Sequence, residues 1–131
     1  MFLQIDPGDA APIYEQIARQ IQFAVASGSL APGEMVPSVR ELARQLAVNP
    51  NTVARAYREL QSQGVLDAQR GLGLSVAADA VEKCRQQRAT WIRERLIHLV
   101  GEALHAKVSP RQLQSMLQDI IQTHSRQETQ S

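Results

Sequence analysis

PSVRELARQLAVNPNTVARAYRELQSQGVLDAQRGLGLSV, residues 37–76, decides the fold. Ser38 and Glu41 form an S-x-x-E capping box, in which a hydroxyl and a carboxylate satisfy amides that a helix start leaves without partners. Behind the box, Val39, Leu42, Ala43 and Leu46 give one buried face. A second start follows at once: Asn49 as cap, with Pro50 in the first helical position, where a missing N–H does no harm. Val53, Tyr57 and Leu60 face inward from this helix, and Gly64 ends it. Val65–Ala68 and Leu74–Val76 then read as short strands around Gln69-Arg70-Gly71-Leu72-Gly73, whose glycines permit positive φ. Two short helices joined by a tight turn and followed by a hairpin outline a winged helix-turn-helix.

Upstream, Phe2–Ile5 is expected as a short strand, broken by Asp6-Pro7-Gly8-Asp9. Pro12 opens a helix whose apolar face is Ile13, Ile17, Ile21 and Val25, with Gly28 as its stop. Downstream of Ala78, residues from about 80 to 106 contain no proline and a single glycine, so a long helix is expected. Val81, Cys84, Arg88, Ile92, Leu96, Leu99 and Ala103 trace a stripe along it. Ser109-Pro110-Arg111-Gln112 is another capping box, and Leu113, Met116, Leu117, Ile120 and Ile121 line the last helix. From Ser125 the chain is polar and is expected to fray.

The expected fold is therefore mostly α with a small β-hairpin: an N-terminal winged helix-turn-helix and a C-terminal two-helix dimerisation hairpin. Residues 11–79 form the first, 80–124 the second, and 125–131 a flexible tail. Two apolar stripes on one helical hairpin cannot both be buried within it. Pairing with a second copy in a four-helix arrangement is the expectation, so the chain is read as a homodimer.

With 131 residues, 44% of them hydrophobic and 21% charged, the chain has the composition of a folded domain rather than of a disordered one. The lone Cys84 excludes an intramolecular disulfide, and there is neither a membrane-length apolar run nor a secretion signal. Together these point to the cytoplasm. Net charge is only +1, but it is unevenly placed. Residues 1–36 carry Asp6, Asp9, Glu15 and Glu34 against Arg19. Residues 37–76 carry Arg40, Arg44, Arg55, Arg58 and Arg70 against Glu41, Glu59 and Asp67. A modest, local positive field excludes a sequence-blind coating protein and suits binding to a defined DNA site.

A recognition helix presents its N-terminal half to base edges, which selects Asn51, Thr52 and Arg55. Asn and Thr bond phosphates or bases, and Arg engages guanine through two parallel hydrogen bonds. Ser38 and Arg40 stand where the preceding helix crosses the backbone, and Asn49 at the start of the recognition helix. Arg70 and Gly71 stand at the wing tip, where arginine enters a minor groove and glycine allows close approach. Phosphate contacts are assigned to Arg40, Asn49 and Asn51, and sequence preference to Thr52, Arg55 and Arg70.

The same string resembles the DNA-binding domain of GntR-type bacterial transcription regulators, in particular their YtrA-like branch. The matching residues are Ile13-Tyr14-Glu15-Gln16-Ile17, Gly33-Glu34, Pro37-Ser38, Arg40-Glu41-Leu42-Ala43, Val48-Asn49-Pro50-Asn51-Thr52-Val53, Arg55-Ala56-Tyr57, Gly64 and Gly71-x-Gly73. The resemblance implies repression, or less often activation, at a palindromic double-stranded DNA operator, often that of the regulator's own operon or of a transporter operon. It further implies DNA contact by the residues at Arg40, Asn51, Thr52 and the wing tip. Two positions depart from the common pattern. Ala54 stands where many relatives have arginine, with Arg55 next, and Leu72 replaces a basic or small polar residue between the wing glycines. Only about 55 residues follow the wing, far short of a large effector domain.

Other readings are weaker. A winged helix also serves as a protein-docking module without DNA binding. His98, Glu102 and His105 share a helix face at metal-ligand spacing, but no second-helix ligand is evident apart from distant His124, so a solvated or interface face is expected. Cys84 reads as a small apolar contact and Trp91 as a core or interface residue. No catalytic triad, phosphate loop, HExxH or dinucleotide fingerprint is present, so neither catalysis nor a cofactor is expected. A small-molecule effector of unspecified identity has room to act only through the C-terminal helices.

Overall fold

A computed structural model describes residues 3–130. Five helices and one antiparallel hairpin follow in order: α1 (Ile13–Ser27), α2 (Val39–Leu46), α3 (Pro50–Ser62), β1 (Leu66–Gln69), β2 (Gly73–Val76), α4 (Ala80–His105) and α5 (Pro110–Gln130). This is the mostly helical chain with a small hairpin read from the sequence. It divides into two compact units, residues 1–89 and 90–131.

In the first unit, α1, α2 and α3 pack around Ile17, Ile21, Val25, Leu42, Val53, Tyr57 and Leu60, all buried. Ser38 caps α2 by accepting from the Glu41 amide at 3.2 Å, and Asn49 caps α3 by accepting from the Asn51 amide at 2.8 Å. Between them the chain turns at Ala47, a non-glycine residue at φ 56°. The Val48 amide reaches the Ala43 carbonyl at 3.0 Å, and the Ala47 amide reaches that of Arg44 at 3.3 Å. That is the left-handed helix stop usually made by glycine. Gly64, at φ 77°, makes the same stop after α3, with Val65 bonded back to Leu60 at 2.9 Å.

The wing pairs Leu66 with Val76 and Gln69 with Gly73, leaving Arg70, Gly71 and Leu72 as a three-residue tip. The first strand is shifted by one residue from its expected bounds, and the second starts one residue earlier. Residues 33–36 extend the sheet: the Val36 amide bonds the Leu74 carbonyl at 3.0 Å and the Val76 amide that of Glu34 at 2.9 Å. These bonds hold the wing to the segment that leads into α2.

Two features differ from the sequence reading. Phe2 lies outside the described residues, and residues 3–5 form no strand. Their backbone is bonded instead by α1 side chains: Gln20 takes both the amide and the carbonyl of Gln4, and the buried Gln16 takes the amide and carbonyl of Asp6. The first unit runs to Ala89, not to residue 79, because Ala80 and Cys84 on the first turns of α4 are buried in its core. Helix α5 continues through Ser125 to Gln130; Ser131 lies outside the described residues. The second unit leaves its two apolar stripes open, as expected of stripes that one helical hairpin cannot bury by itself. Beyond Cys84 no residue of α4 is buried, and none of α5 is among the described side chains. Ile92, Leu96, Leu99, Met116, Leu117, Ile120 and Ile121 are all about half exposed.

The expected Ser109 box is formed in both directions, at 3.0 and 3.1 Å. Lys107 at φ 70° closes α4, a stop the sequence does not announce.

Candidate nucleic-acid interface

The sequence-selected residues fall on three adjoining parts of the first unit: the start of α2, the start of α3 and the wing tip. Ser38 and Asn49 are exposed, but each has a side-chain oxygen committed to its helix cap. For Asn49 this leaves the amide NH₂ as the outward-facing group, a donor suited to a phosphate oxygen. Asn51 is exposed one turn below Arg55, and Thr52 is half-buried beside Val53, which is fully enclosed. Arg40 projects from the first turn of α2 and is exposed.

Ser38 and the wing are brought together. They line one cleft with Met35, Val36, Pro37, Tyr57, Leu72 and Gly73. The Tyr57 hydroxyl donates to the Pro37 carbonyl at 2.8 Å, which ties α3 to the entry of α2. Burial, with the Glu41 charge nearby, raises the Tyr57 phenol well above its ordinary value of 10.0. At the tip, Gly71 has φ 78° and nothing within 4 Å of where a Cβ would stand, so the backbone there is open to a partner. Leu72 is 78% exposed, the outermost apolar side chain of the wing.

Arg55 lies elsewhere, turned toward α1. Its Cζ sits 3.8 Å from the centroid of the Tyr14 ring. Tyr14 is half-buried and Arg55 exposed. Sequence reasoning selected Arg55 but not its aromatic neighbour, since spacing along the chain does not show which ring of α1 meets which side chain of α3.

Electrostatically the face is uncommitted. Arg19 pairs with Asp9 at 3.0 Å and Lys83 with Asp79 at 3.1 Å, and the latter contact holds the Asp79 carboxyl below its ordinary range. Among the described residues no ion pair involves Arg40, Arg44, Arg55, Arg58 or Arg70. The cations of residues 37–76 are therefore left for an external anion.

The remaining candidates belong to other elements of the chain. Cys84 is enclosed in the core, and burial pushes its thiol up despite nearby Lys83. His98 Nε2 lies 3.1 Å from Glu102, and no group of three or more metal-ligand side chains occurs among the described residues. Trp91 is half-buried, with the Arg95 guanidinium 4.8 Å from its ring centroid.

A capped helix-turn-helix, a glycine-tipped wing and a set of free arginines define a winged-helix regulator of transcription. Residues 13–76 match the family described as "Bacterial regulatory proteins, gntR family", and the chain belongs to that family. It is 38% identical over 118 residues, 90% of this chain and 91% of the relative, to the HTH-type transcriptional repressor YtrA of Bacillus subtilis. A GntR family transcriptional regulator from Listeria monocytogenes superposes with TM-score 0.72 at 30% identity, covering 88% of this chain and 98% of that one. The DNA-binding domain of AraR, solved in complex with operator ORX1, superposes with TM-score 0.51 at 31% identity, covering 57% of this chain and 93% of that one. The chain is a DNA-binding transcription regulator and not an enzyme. No helix among the described residues is long and apolar enough to cross a membrane.

Proposed function

We propose that the chain is a cytoplasmic repressor that binds a palindromic operator as a homodimer. The observation that carries this reading is the set of exposed, unpaired arginines on α2, α3 and the wing tip, set around two capped helix starts. Helix α3 enters the major groove. Arg40, Asn49 and Asn51 fix its register on phosphates, while Thr52, Arg55 and Arg70 supply sequence preference in the two grooves, Gly71 allows the wing tip close approach, and Ser38 holds the α2 start against the backbone. The half-exposed apolar faces of α4 and α5 pair with those of a second copy, and a small-molecule effector, where one exists, acts on that element. Repression as the sign of regulation, and an operator near the chain's own operon or a transporter operon, rest on the likeness to YtrA-type regulators.

A gel-shift assay on the DNA immediately upstream of the gene, with a light-scattering mass, tests the proposal. A specific complex at dimer stoichiometry supports it. A dimer that retards this DNA no better than heterologous duplex identifies a protein-docking module instead.

A further inference from the structure

We propose that Tyr14, on α1, is a positioning residue for DNA recognition: its ring holds the Arg55 guanidinium in place at the flank of the recognition helix. The inference rests on the DNA-binding reading above and adds to it a residue outside the helix-turn-helix.

Arginine on a mobile four-torsion stem loses side-chain entropy when it docks on a base or phosphate. Contact with a ring removes part of that cost beforehand. At 3.8 Å from the ring centroid the Arg55 Cζ sits over the Tyr14 ring, within cation–π range. The guanidinium carries five N–H donors, which a contact with the ring does not replace as partners for DNA. Among the described residues no carboxylate pairs with Arg55, and its side chain is exposed. Tyr14 is itself fixed: it is half-buried on α1, packs against the core, and its hydroxyl donates to Glu15 at 3.3 Å. A rigid ring and a cation held over it make a preorganised contact. Its place matters here because the neighbouring position is Ala54, which offers no donor of its own.

The test compares the full chain with Tyr14→Leu, Tyr14→Phe, Arg55→Ala and the Tyr14→Leu/Arg55→Ala double variant. Binding is measured on the DNA immediately upstream of the gene and on a heterologous duplex, with circular dichroism to establish folding. Tyr14→Leu is expected to weaken specific binding about two- to fivefold, the scale of an exposed cation–π contact. Tyr14→Phe, which keeps the ring, restores it. In the Arg55→Ala background Tyr14→Leu has no further effect. Ring-current displacement of the Arg55 side-chain protons, seen by NMR without DNA and lost in Tyr14→Leu, reports the contact directly. An equal loss from Tyr14→Leu in the presence and absence of Arg55 overturns the proposal, because Tyr14 then acts through α1 packing. Wild-type affinity in Arg55→Ala overturns it as well. Failure of the wild type itself to discriminate the two DNAs, with the ring-current shift intact, removes the DNA-binding reading and this inference with it.

Discussion

Arg55 and Tyr57 stand two residues apart on α3 and serve opposite ends. Arg55 is exposed and unpaired, whereas Tyr57 is enclosed and bonded to the Pro37 carbonyl. Replacing Arg55 by Ala is expected to cost about 1–3 kcal/mol on specific DNA, with relaxed preference at the base it reads and little change in melting temperature. Competition binding against single-base operator variants measures this; uniform weakening at every position makes Arg55 a phosphate contact. Tyr57→Phe should leave the Pro37 carbonyl without its donor and cost about 1 kcal/mol of stability by urea titration. Tyr57 also gives a pH signature, together with Cys84. Burial raises both acids, so the folded chain keeps protons that the unfolded chain releases once pH passes the ordinary thiol and phenol values of 9.0 and 10.0. Their stabilising contribution is complete below that window and is lost as pH climbs through it. The urea midpoint should therefore fall above about pH 9, and a Tyr57→Phe/Cys84→Ala variant should fall less steeply.

The turn between α2 and α3 is the element whose chemistry is least ordinary. Ala47 occupies the left-handed region at φ 56°, a conformation that brings Cβ against the carbonyl and costs about 1–2 kcal/mol. Ala47→Gly should remove that strain, part of it offset by the extra entropy glycine carries in the unfolded chain, for a net gain of about 1 kcal/mol. A higher urea midpoint with unchanged DNA affinity is the expected result; a lower midpoint means the turn is not strained. The same residue shows why sequence reading stops where it does. Caps at Ser38, Asn49 and Ser109 are legible because a helix start is a local bargain between one side chain and amides two or three residues on. Helix stops at Ala47 and Lys107 carry no glycine to announce them. The N-terminal segment misleads for the opposite reason: it looks like a strand, but its hydrogen bonds go to Gln16 and Gln20, ten and sixteen residues away in α1. At the candidate interface, residue type and position identify the arginines. They do not tell that Ser38 and Asn49 oxygens are spent on caps, or that Tyr14 underlies Arg55.

For the molecule as a whole, the unequal treatment of its two units is the main physical fact. The first unit encloses most of its large aliphatic side chains, several of them completely, whereas in the second Ile92, Leu96, Leu99, Met116, Leu117, Ile120 and Ile121 remain about half exposed. Apolar surface of that extent on a small helical unit is stabilised by association, at roughly 25 cal/mol for each Å² removed from water. In the proposed homodimer a second copy supplies matching stripes and the two-fold symmetry that a palindromic operator requires. Replacing Leu96 and Ile120 together by Glu places buried charge on both stripes of any such dimer. The light-scattering mass should then fall to that of one chain, while circular dichroism still reports a folded helical protein, because neither residue belongs to the winged-helix core. Affinity for the full operator should drop about 100-fold or more as two linked half-site contacts become independent. Affinity for an isolated half-site should hardly change. A variant that keeps its dimer mass and its full-operator affinity shows that these faces serve something other than self-pairing. Loss of mass without loss of affinity shows instead that each winged helix reads its DNA alone.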